Sequence, residues 1–531
     1  MLQKIADTVR VNRISQRPTI RGALSLALLS LLGLGATGQV IAADKPNIVL
    51  IMADDLDATT SEYWERATRA GKDDPLKKTR ALIRDKGVNF SNAFAPNPIC
   101  CPSRSSMLTG RFGHNTGVLT NGGDQGGRTA FVNNGCEAHS LAPWLKNAGY
   151  RTAIVGKYLN GIAETPTAIA PGWTDWFVFV DNFVNEYKGY GYNVNENGTI
   201  VHRGWREEDY STDYVRSKSL AFIDRASAAK EPFFLYVSAT APHLPLPPAR
   251  RHLINPYSLA HLPQRPNTHE LDLSDKPLWL RTSGPQRLVE SAVWSPIDYR
   301  LRQGSLYALD DLVEAVVKKL ETTGQLDNTY IIFLSDNGYN LGSHRLIHKM
   351  APYEESIRIP WTVRGPGIPA GITKSQTVLM PDFAPTVLEW AGITQPASLA
   401  GVPSPDRDGA SLVPLLKTTS PSTWRKDFTI QYASKGFLNG VGAEIPPAVW
   451  TFSGMDIPSY LAIREENYKL IKWDAAIGTQ WELYDLKNDP YELHNLLANP
   501  LNWMLKKPLI ERLKQRMTEL NHCQGASCRS W

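Results

Sequence analysis

The chain of 531 residues is long enough for one large core and a smaller second domain, because single hydrophobic cores seldom grow beyond ~250–300 residues. Its 57 Lys and Arg against 52 Asp and Glu give a formal net charge of +5. Most of that excess lies at the start, where Lys4, Arg10, Arg13, Arg17 and Arg21 face a single acid, Asp7. The remainder is near neutral, which excludes a general nucleic-acid or polyanion binder and leaves only local anion recognition.

The basic start leads into an apolar stretch from Ala23 to Ala36 and then Val40-Ile-Ala42-Ala43. A charged n-region, a short h-region and small residues at its end read as a signal peptide over residues 1–43, cleaved after Ala42 or Ala43. The competing reading is a membrane anchor, but the stretch is shorter than the ~20 residues a spanning helix needs. The expectation is export, to the periplasm or the extracellular space, with no membrane span after cleavage.

Beyond it, four short apolar runs end in residues capable of chemistry: Asn47–Met52 before Asp54-Asp55, Thr152–Val155 before Gly156-Lys157, Pro232–Val237 before Pro242-His243, and Tyr330–Leu334 before Asp336-Asn337-Gly338. That is the pattern of α/β strands delivering a site at their carboxyl ends. Between them, Leu306, Leu309, Val313, Val316, Val317 and Leu320 form one helical face that stops at Gly324, with Asp310 and Asp311 as a solvated or structural pair. Pro245 to Pro296 reads as loop. After Thr418–Thr423, a candidate boundary, Tyr460–Ile463, Tyr468–Ile471 and Trp481–Tyr484 read as strands and Leu509–Leu520 as a helix. The domains are therefore 44–420, catalytic, and a smaller 421–531.

The run Cys100-Cys-Pro-Ser-Arg104-Ser-Ser-Met-Leu-Thr-Gly-Arg111 places Pro102 in the first turn of a helix and Gly110 at its end. Cys100 then sits at a helix N-terminus, where free N–H groups and the dipole favour an anion and Arg104 adds a planar donor fork. Asp54, Asp55, Asp336 and Asn337 offer oxygen ligands only, which suits one hard divalent cation, calcium with magnesium as the alternative, better than zinc. Singly, these acids also pass as caps or turn residues, and Asp57 reads as lying outside the ligand set. Arg104, Lys157 and Lys349 can neutralise an anionic ester, and His243 or Lys349 can protonate its leaving alkoxide. His344 and His348 are weaker candidates.

The Cys100 run fits C-x-P-S-R-x-x-x-L-T-G-R, the sequence read by the machinery that oxidises cysteine to formylglycine, and the chain resembles the type I sulfatases. Asp54-Asp55, Gly156-Lys157, Pro242-His243, Asp336-Asn337-Gly338, Lys349, Tyr353–Pro360, Arg364–Gly367 and Glu482–Pro490 follow in the family's order over nearly the whole mature chain. Many sulfatases read G-K-W-H-L-G where this chain reads Gly156-Lys157-Tyr158-Leu159-Asn160-Gly161, so Leu159 replaces a histidine that contacts the formylglycine. The G-K-Y-L-N form, Cys101 and Ser274–Trp279 look like the branch of N-acetylglucosamine-6-sulfatases, extracellular glucosamine 6-O-sulfatases and some arylsulfatases.

The resemblance implies an alkaline-phosphatase-like α/β fold, a mixed sheet sandwiched by helices with a smaller domain holding an antiparallel sheet and a helix. It also implies hydrolysis of carbohydrate or aryl sulfate monoesters. Cys100 becomes formylglycine, joins the metal ligands, and as a hydrated diol attacks sulfur with one hydroxyl and expels sulfate with the other; the group assisting that last step is unassigned at Leu159. Partners are a sulfated small molecule or glycan and the formylglycine-generating machinery. The alternatives are a phosphonate monoester or phosphodiester hydrolase of the same superfamily and a non-catalytic sulfated-glycan binder. With Cys100 modified, Cys101, Cys136, Cys523 and Cys528 remain as an even set. Cys523–Cys528 would close a tail loop and Cys101–Cys136 would brace the active-site turn, or they stay unpaired. Asn197-Gly-Thr199 is a glycosylation sequon.

Overall fold

The run Asn47–Ala53 is buried at every position because it lies in the middle of a sheet covered on both faces, where strands read as continuous apolar runs. The computed structural model describes residues 45–62, 74–181, 187–253, 261–394, 404–419, 421–434, 457–476 and 478–530. The expected signal peptide lies outside these residues.

The main sheet has ten strands: β1 (Asn47–Ala53), β2 (Val88–Phe90), β3 (Arg151–Gly156), β4 (Asp175–Phe179), β5 (Tyr192–Glu196), β6 (Thr199–Arg203), β7 (Phe233–Ser238), β8 (Thr329–Ser335), β9 (Trp361–Arg364) and β10 (Ile372–Lys374). In space they run β10-β2-β9-β8-β1-β7-β3-β4-β5-β6. The centre, β8-β1-β7-β3-β4, is parallel, and β9, β5 and β6 run antiparallel to their neighbours. The sheet is thus mixed, as the resemblance implies. All four strands expected to deliver chemistry are adjacent, so their carboxyl ends share one edge.

Successive residues of β1 serve two layers, since side chains alternate across a strand. The helices that supply those layers include α1 (Cys100–Thr109), α2 (Ser211–Ala229), α3 (Leu278–Thr322) and α4 (Phe383–Trp390). Ile48, Leu50 and Met52 pack with Leu108 of α1 and Val387 of α4. Val49, Ile51 and Ala53 pack with Phe222 of α2 and Leu309 of α3.

Helix α3 corrects the expectation of loop up to Pro296: it starts at Leu278 and carries Pro285 and Pro296 inside it. Its first half buries Gly284, Arg287, Ser291 and Ser295 and exposes Val289, Val293 and Ile297. Without a buried apolar stripe there is no periodic signal, and each proline argues against a helix interior. Further on, Asp310 accepts from the Lys78 and Thr79 amides at 2.9 and 2.7 Å and Asp311 accepts from Lys78 Nζ at 2.7 Å, so the pair is structural.

The C-terminal sheet is a meander of β11 (Asp427–Tyr432), β12 (Ser459–Glu465), β13 (Tyr468–Ala475) and β14 (Gly478–Asp485). Helix α5 (Lys507–Asn521) covers one face, with Ile510, Leu513, Met517 and Leu520 against Ile463, Leu470 and Leu483. The other face brings Ile430, Ala462 and Trp473 onto Phe94, Ile99 and Tyr353. Cys523 and Cys528 form a disulfide. Cys101 and Cys136 do not: both are free, buried thiols packed in the core beneath the site, where cysteine behaves as a small hydrophobe.

Candidate active site

Helix α1 begins where Ile99 leaves an extended backbone (φ −153°, ψ 145°) and ends at Gly110 in the left-handed region (φ 73°), a conformation glycine adopts at no steric cost. Every one of its residues is buried, Cys100 at the first position. Lys349 Nζ stands 2.8 Å from Cys100 Sγ and Asp54 Oδ1 at 3.7 Å. Burial pushes the Cys100 thiol up to about 12, outweighing Lys157 and Lys349. The unmodified side chain is therefore a protonated thiol at neutral pH and a poor nucleophile.

The edge of the sheet assembles the remainder. Asp54 and Asp55 leave β1, and Asp55 takes a positive φ of 70°, an uncommon conformation for a residue with a Cβ. Around that turn Arg302 Nη2 donates to the Asp55 carbonyl at 2.5 Å, and the Asp55 amide donates to Asp336 Oδ1 at 3.0 Å. The two carboxylates thereby meet different cations: Lys157 Nζ donates to Asp54 Oδ2 at 2.6 Å, and Lys349 Nζ to Asp55 Oδ1 at 2.5 Å. Lys157 follows Gly156, where a Cβ would lie 1.9 Å from the Ser238 carbonyl oxygen, so only glycine lets β3 approach β7 there.

Arg104, fully buried, lies across the base. Its Nε donates to Asp336 Oδ2 at 2.9 Å, and Nη1 to Ser238 Oγ, Tyr236 Oη and the Lys157 carbonyl at 2.7, 3.1 and 3.2 Å. Nη2 is 3.6 Å from Asp54 Oδ2 and has no hydrogen-bond acceptor among the described residues. His243 Nε2 lies 3.6 Å from Asp55 Oδ2. Five of the residues read from sequence, Asp54, Asp55, Cys100, Lys349 and His243, thus stand within one buried cluster, with Lys157, Arg104, Asp336 and Asn337 joined to it.

Charges here are set by burial against neighbours. Burial alone would raise the Asp54 carboxyl, but Lys157, His243 and Arg104 hold it below the usual range. Asp55, buried likewise, is brought to about 2 by Lys349 and His243. Both acids stay ionised, and they in turn raise Lys157 and Lys349 against their own burial, so both lysines stay charged. Burial lowers the His243 imidazole to about 4.

The donor set fits a hard cation. Asn337 Nδ2 donates to Asp55 Oδ1 at 2.7 Å, while Asn337 Oδ1 is buried with no donor among the described residues; a buried amide oxygen left so is costly unless a cation takes it. One ligand atom each from Asp54, Asp55, Cys100 and His243 lies within 4.8 Å of the others. Asp57 instead accepts from the Thr60 amide at 2.7 Å. His348 Nδ1 is 3.0 Å from Tyr339 Oη, and His344 belongs to a separate buried group with Glu355 and Glu492. Leu159 is buried in the core. Sequence reasoning missed Arg302 and Tyr187, which carry no local motif, and passed over Ser103 inside the Cys100 motif, whose Oγ donates to the Asp336 carbonyl at 2.5 Å.

A parallel central sheet whose carboxyl edge gathers three carboxylates, an amide and three cations around a helix N-terminus makes a buried candidate metal-binding site on an alkaline-phosphatase-like fold. The Sulfatase family model matches residues 46–393, and the model for the N-sulphoglucosamine sulphohydrolase C-terminal region matches residues 450–522. The chain belongs to the sulfatase family and is a sulfuric ester hydrolase. It is 33% identical to an N-acetylglucosamine-6-sulfatase of Capra hircus over 94% of this chain and 87% of that one. It is 32% identical to an arylsulfatase of Volvox carteri, over 94% and 78%. A solved structure of a protein in complex with its substrate D-glucosamine-2-N,6-O-disulfate superposes with a TM-score of 0.66 at 24% identity, covering 89% of this chain and 98% of that one. No described helix is long and apolar enough to cross a membrane.

Proposed function

We propose that this enzyme removes sulfate from carbohydrate sulfate monoesters, with 6-O-sulfated glucosamine as the preferred substrate class. One observation carries the reaction chemistry: Cys100 at a helix N-terminus, touched by Lys349 and backed by an oxygen-rich pocket. The sugar preference is carried by the goat relative's name and by the sugar in the superposed structure. The Volvox relative's name keeps aryl sulfates in the test.

Cys100 is the residue converted to formylglycine, which when hydrated supplies a hydroxyl nucleophile that a thiol does not. Asp54, Asp55, Asp336 and Asn337 with the modified residue 100 would hold one divalent cation, calcium in preference to magnesium, whose charge polarises the sulfate and acidifies the nucleophile. Arg104, Lys157 and Lys349 bind and orient the sulfuryl oxygens and offset the charge that develops on them. His243 serves the departing oxygen together with Lys349, the donor of the two that is charged at rest. Leu159 gives the site no base where many relatives have histidine, so proton removal in the last step falls to another group. Residues 44–420 carry this chemistry, residues 421–531 form the smaller domain, and residues 1–43 direct export to the periplasm or beyond.

Peptide mass spectrometry of the exported protein, followed by sulfate release from sulfated sugars, aryl sulfates and a phosphodiester, tests the reading. The expected result is a new N-terminus after Ala42 or Ala43, formylglycine at position 100, fastest release from glucosamine 6-sulfate, and loss of turnover with chelator that calcium restores. Full activity with unmodified Cys100, or faster phosphodiester than sulfate cleavage, would overturn it.

A further inference from the structure

Arg302 of α3 is 2% exposed, and no motif marks it. Its Nη2 donates to the Asp55 carbonyl at 2.5 Å and lies 3.5 Å from Asp57 Oδ1. The guanidinium carbon sits 4.0 Å from the centre of the Tyr339 ring, and Tyr339 Oη donates to Asp298 Oδ2 at 3.2 Å. Asp298 and Arg302 are four residues apart, so they share one face of the helix. That face reaches a candidate metal ligand through its main chain, while the Asp55 carboxylate itself meets Lys349, Asn337 and His243.

The turn needs that hold. Asp55 has a φ of 70°, a region that a residue with a Cβ leaves unless its surroundings keep it there. The peptide groups on either side of Asp55 decide its φ and ψ. The first is held by its amide, which donates to Asp336 Oδ1 at 3.0 Å. The second is held at both ends, its carbonyl by Arg302 and its amide, that of Leu56, by Ser335 Oγ at 2.8 Å. Without the guanidinium a buried carbonyl loses its donor, and the turn relaxes toward negative φ. Relaxation swings the Cα–Cβ bond and carries the carboxylate away from Asp54, Cys100 and His243, whose ligand atoms stand within 4.8 Å of its own.

We propose that Arg302 is a positioning residue for the divalent cation: it keeps the Asp55 turn in the conformation that presents the carboxylate, and it neither binds sulfate nor moves a proton. The inference rests on the reading of Asp54, Asp55, Asp336 and Asn337 as cation ligands. A ligand set assembled before the ion arrives binds it more tightly than one that must first rearrange, because only the assembled fraction is competent. Loss of Arg302 therefore shows first as weaker cation affinity. Turnover falls with occupancy and returns when the cation is in excess.

The experiment titrates Ca²⁺ into the mature, chelator-stripped enzyme by calorimetry and follows 4-nitrophenyl sulfate turnover against Ca²⁺ concentration. Arg302→Met, which keeps an unbranched stem but no donor, should raise the Kd for Ca²⁺ about 10- to 100-fold, and its kcat at saturating Ca²⁺ should come within about threefold of the parent. Arg302→Lys, which can still donate to the carbonyl, should fall between the two. Asp57→Asn removes the ion pair with Arg302 and leaves the carbonyl bond, so its Kd should stay within about twofold of the parent. A Met variant with the parent's Kd, a kcat lost at every Ca²⁺ concentration, or Asp57→Asn as weak as Arg302→Met would each overturn the assignment. A partly folded sample lowers the number of sites titrated and leaves the Kd alone; if Arg302→Met does not fold, Arg302→Gln serves in its place. Asp54→Ala separates the two layers. If it binds Ca²⁺ as tightly as the parent, the cation reading has failed; if it loses Ca²⁺ and Arg302→Met does not, only the role of Arg302 has failed.

Discussion

Helices α1 and α5 solve opposite problems. Helix α1 buries all ten of its residues, serines and an arginine included, whereas α5 buries four of fifteen, at Ile510, Leu513, Met517 and Leu520. A helix that serves packing needs one apolar stripe, and the stripe leaves a period of 3.6 in the sequence. A helix that serves chemistry is surrounded on every side, so it has no polar face and no period; its information lies in residue identity at fixed spacing. Mutations in the two should therefore separate activity from stability.

The largest effect belongs to α1. Cys100→Ala should lower sulfate release by at least about 10³-fold, as removal of a nucleophile does, while its thermal midpoint stays close to the parent's in calorimetry. In α5 the reverse holds: Leu513, fully buried, should cost about 2–5 kcal/mol as Leu513→Ala, read in urea unfolding, with turnover per folded molecule unchanged. If Leu513→Ala removed activity without loss of stability, the division of labour would be wrong.

Smaller effects sharpen the same contrast. Gly110 closes α1 at φ 73°, and an added Cβ would meet Arg407 Cγ at 3.1 Å, so Gly110→Ala should cost about 1–2 kcal/mol and disturb kcat more than an equal loss placed in α5. The smallest is electrostatic. Burial would raise the Asp311 carboxyl, but His252 and Lys78 bring it well below its usual range. Its folded pKa is then the lower one, so its contribution is complete above the ordinary carboxylate value of 3.8 and is lost as pH falls below it. The pair is partly exposed, so Asp311→Asn should cost less than about 1 kcal/mol at neutral pH, and the difference in thermal midpoint should vanish in acid.

Much of the site was legible because identity and order carried it. Asp54, Asp55, Lys157, His243, Asp336 and Asn337 each follow a strand, and adjacency of the four strands does the rest. The fold was legible where a stripe is buried, as in α5 and the second half of α3. It was illegible in the first half of α3, where Gly284, Ser291 and Ser295 face inward. Tyr187 and Arg302 were hidden for another reason. Each touches a neighbour distant in the chain, the His243 ring for one and the Asp55 carbonyl for the other, and a single sequence does not record that pairing. Of the two readings of Cys101 and Cys136, bridged or unpaired, the structure has them unpaired, because spacing along the chain says nothing about which way two thiols point.

The burial of α1 also sets an order of events in the life of the molecule. Cys100 is 1% exposed, beneath a sheet edge that closes only when strands from residue 47 to residue 335 have come together. A second protein cannot grip a side chain in that position. If Cys100 is oxidised as proposed, the oxidation would have to reach the newly made, still extended chain, and a molecule that folded first would keep a sound structure around an unmodified thiol.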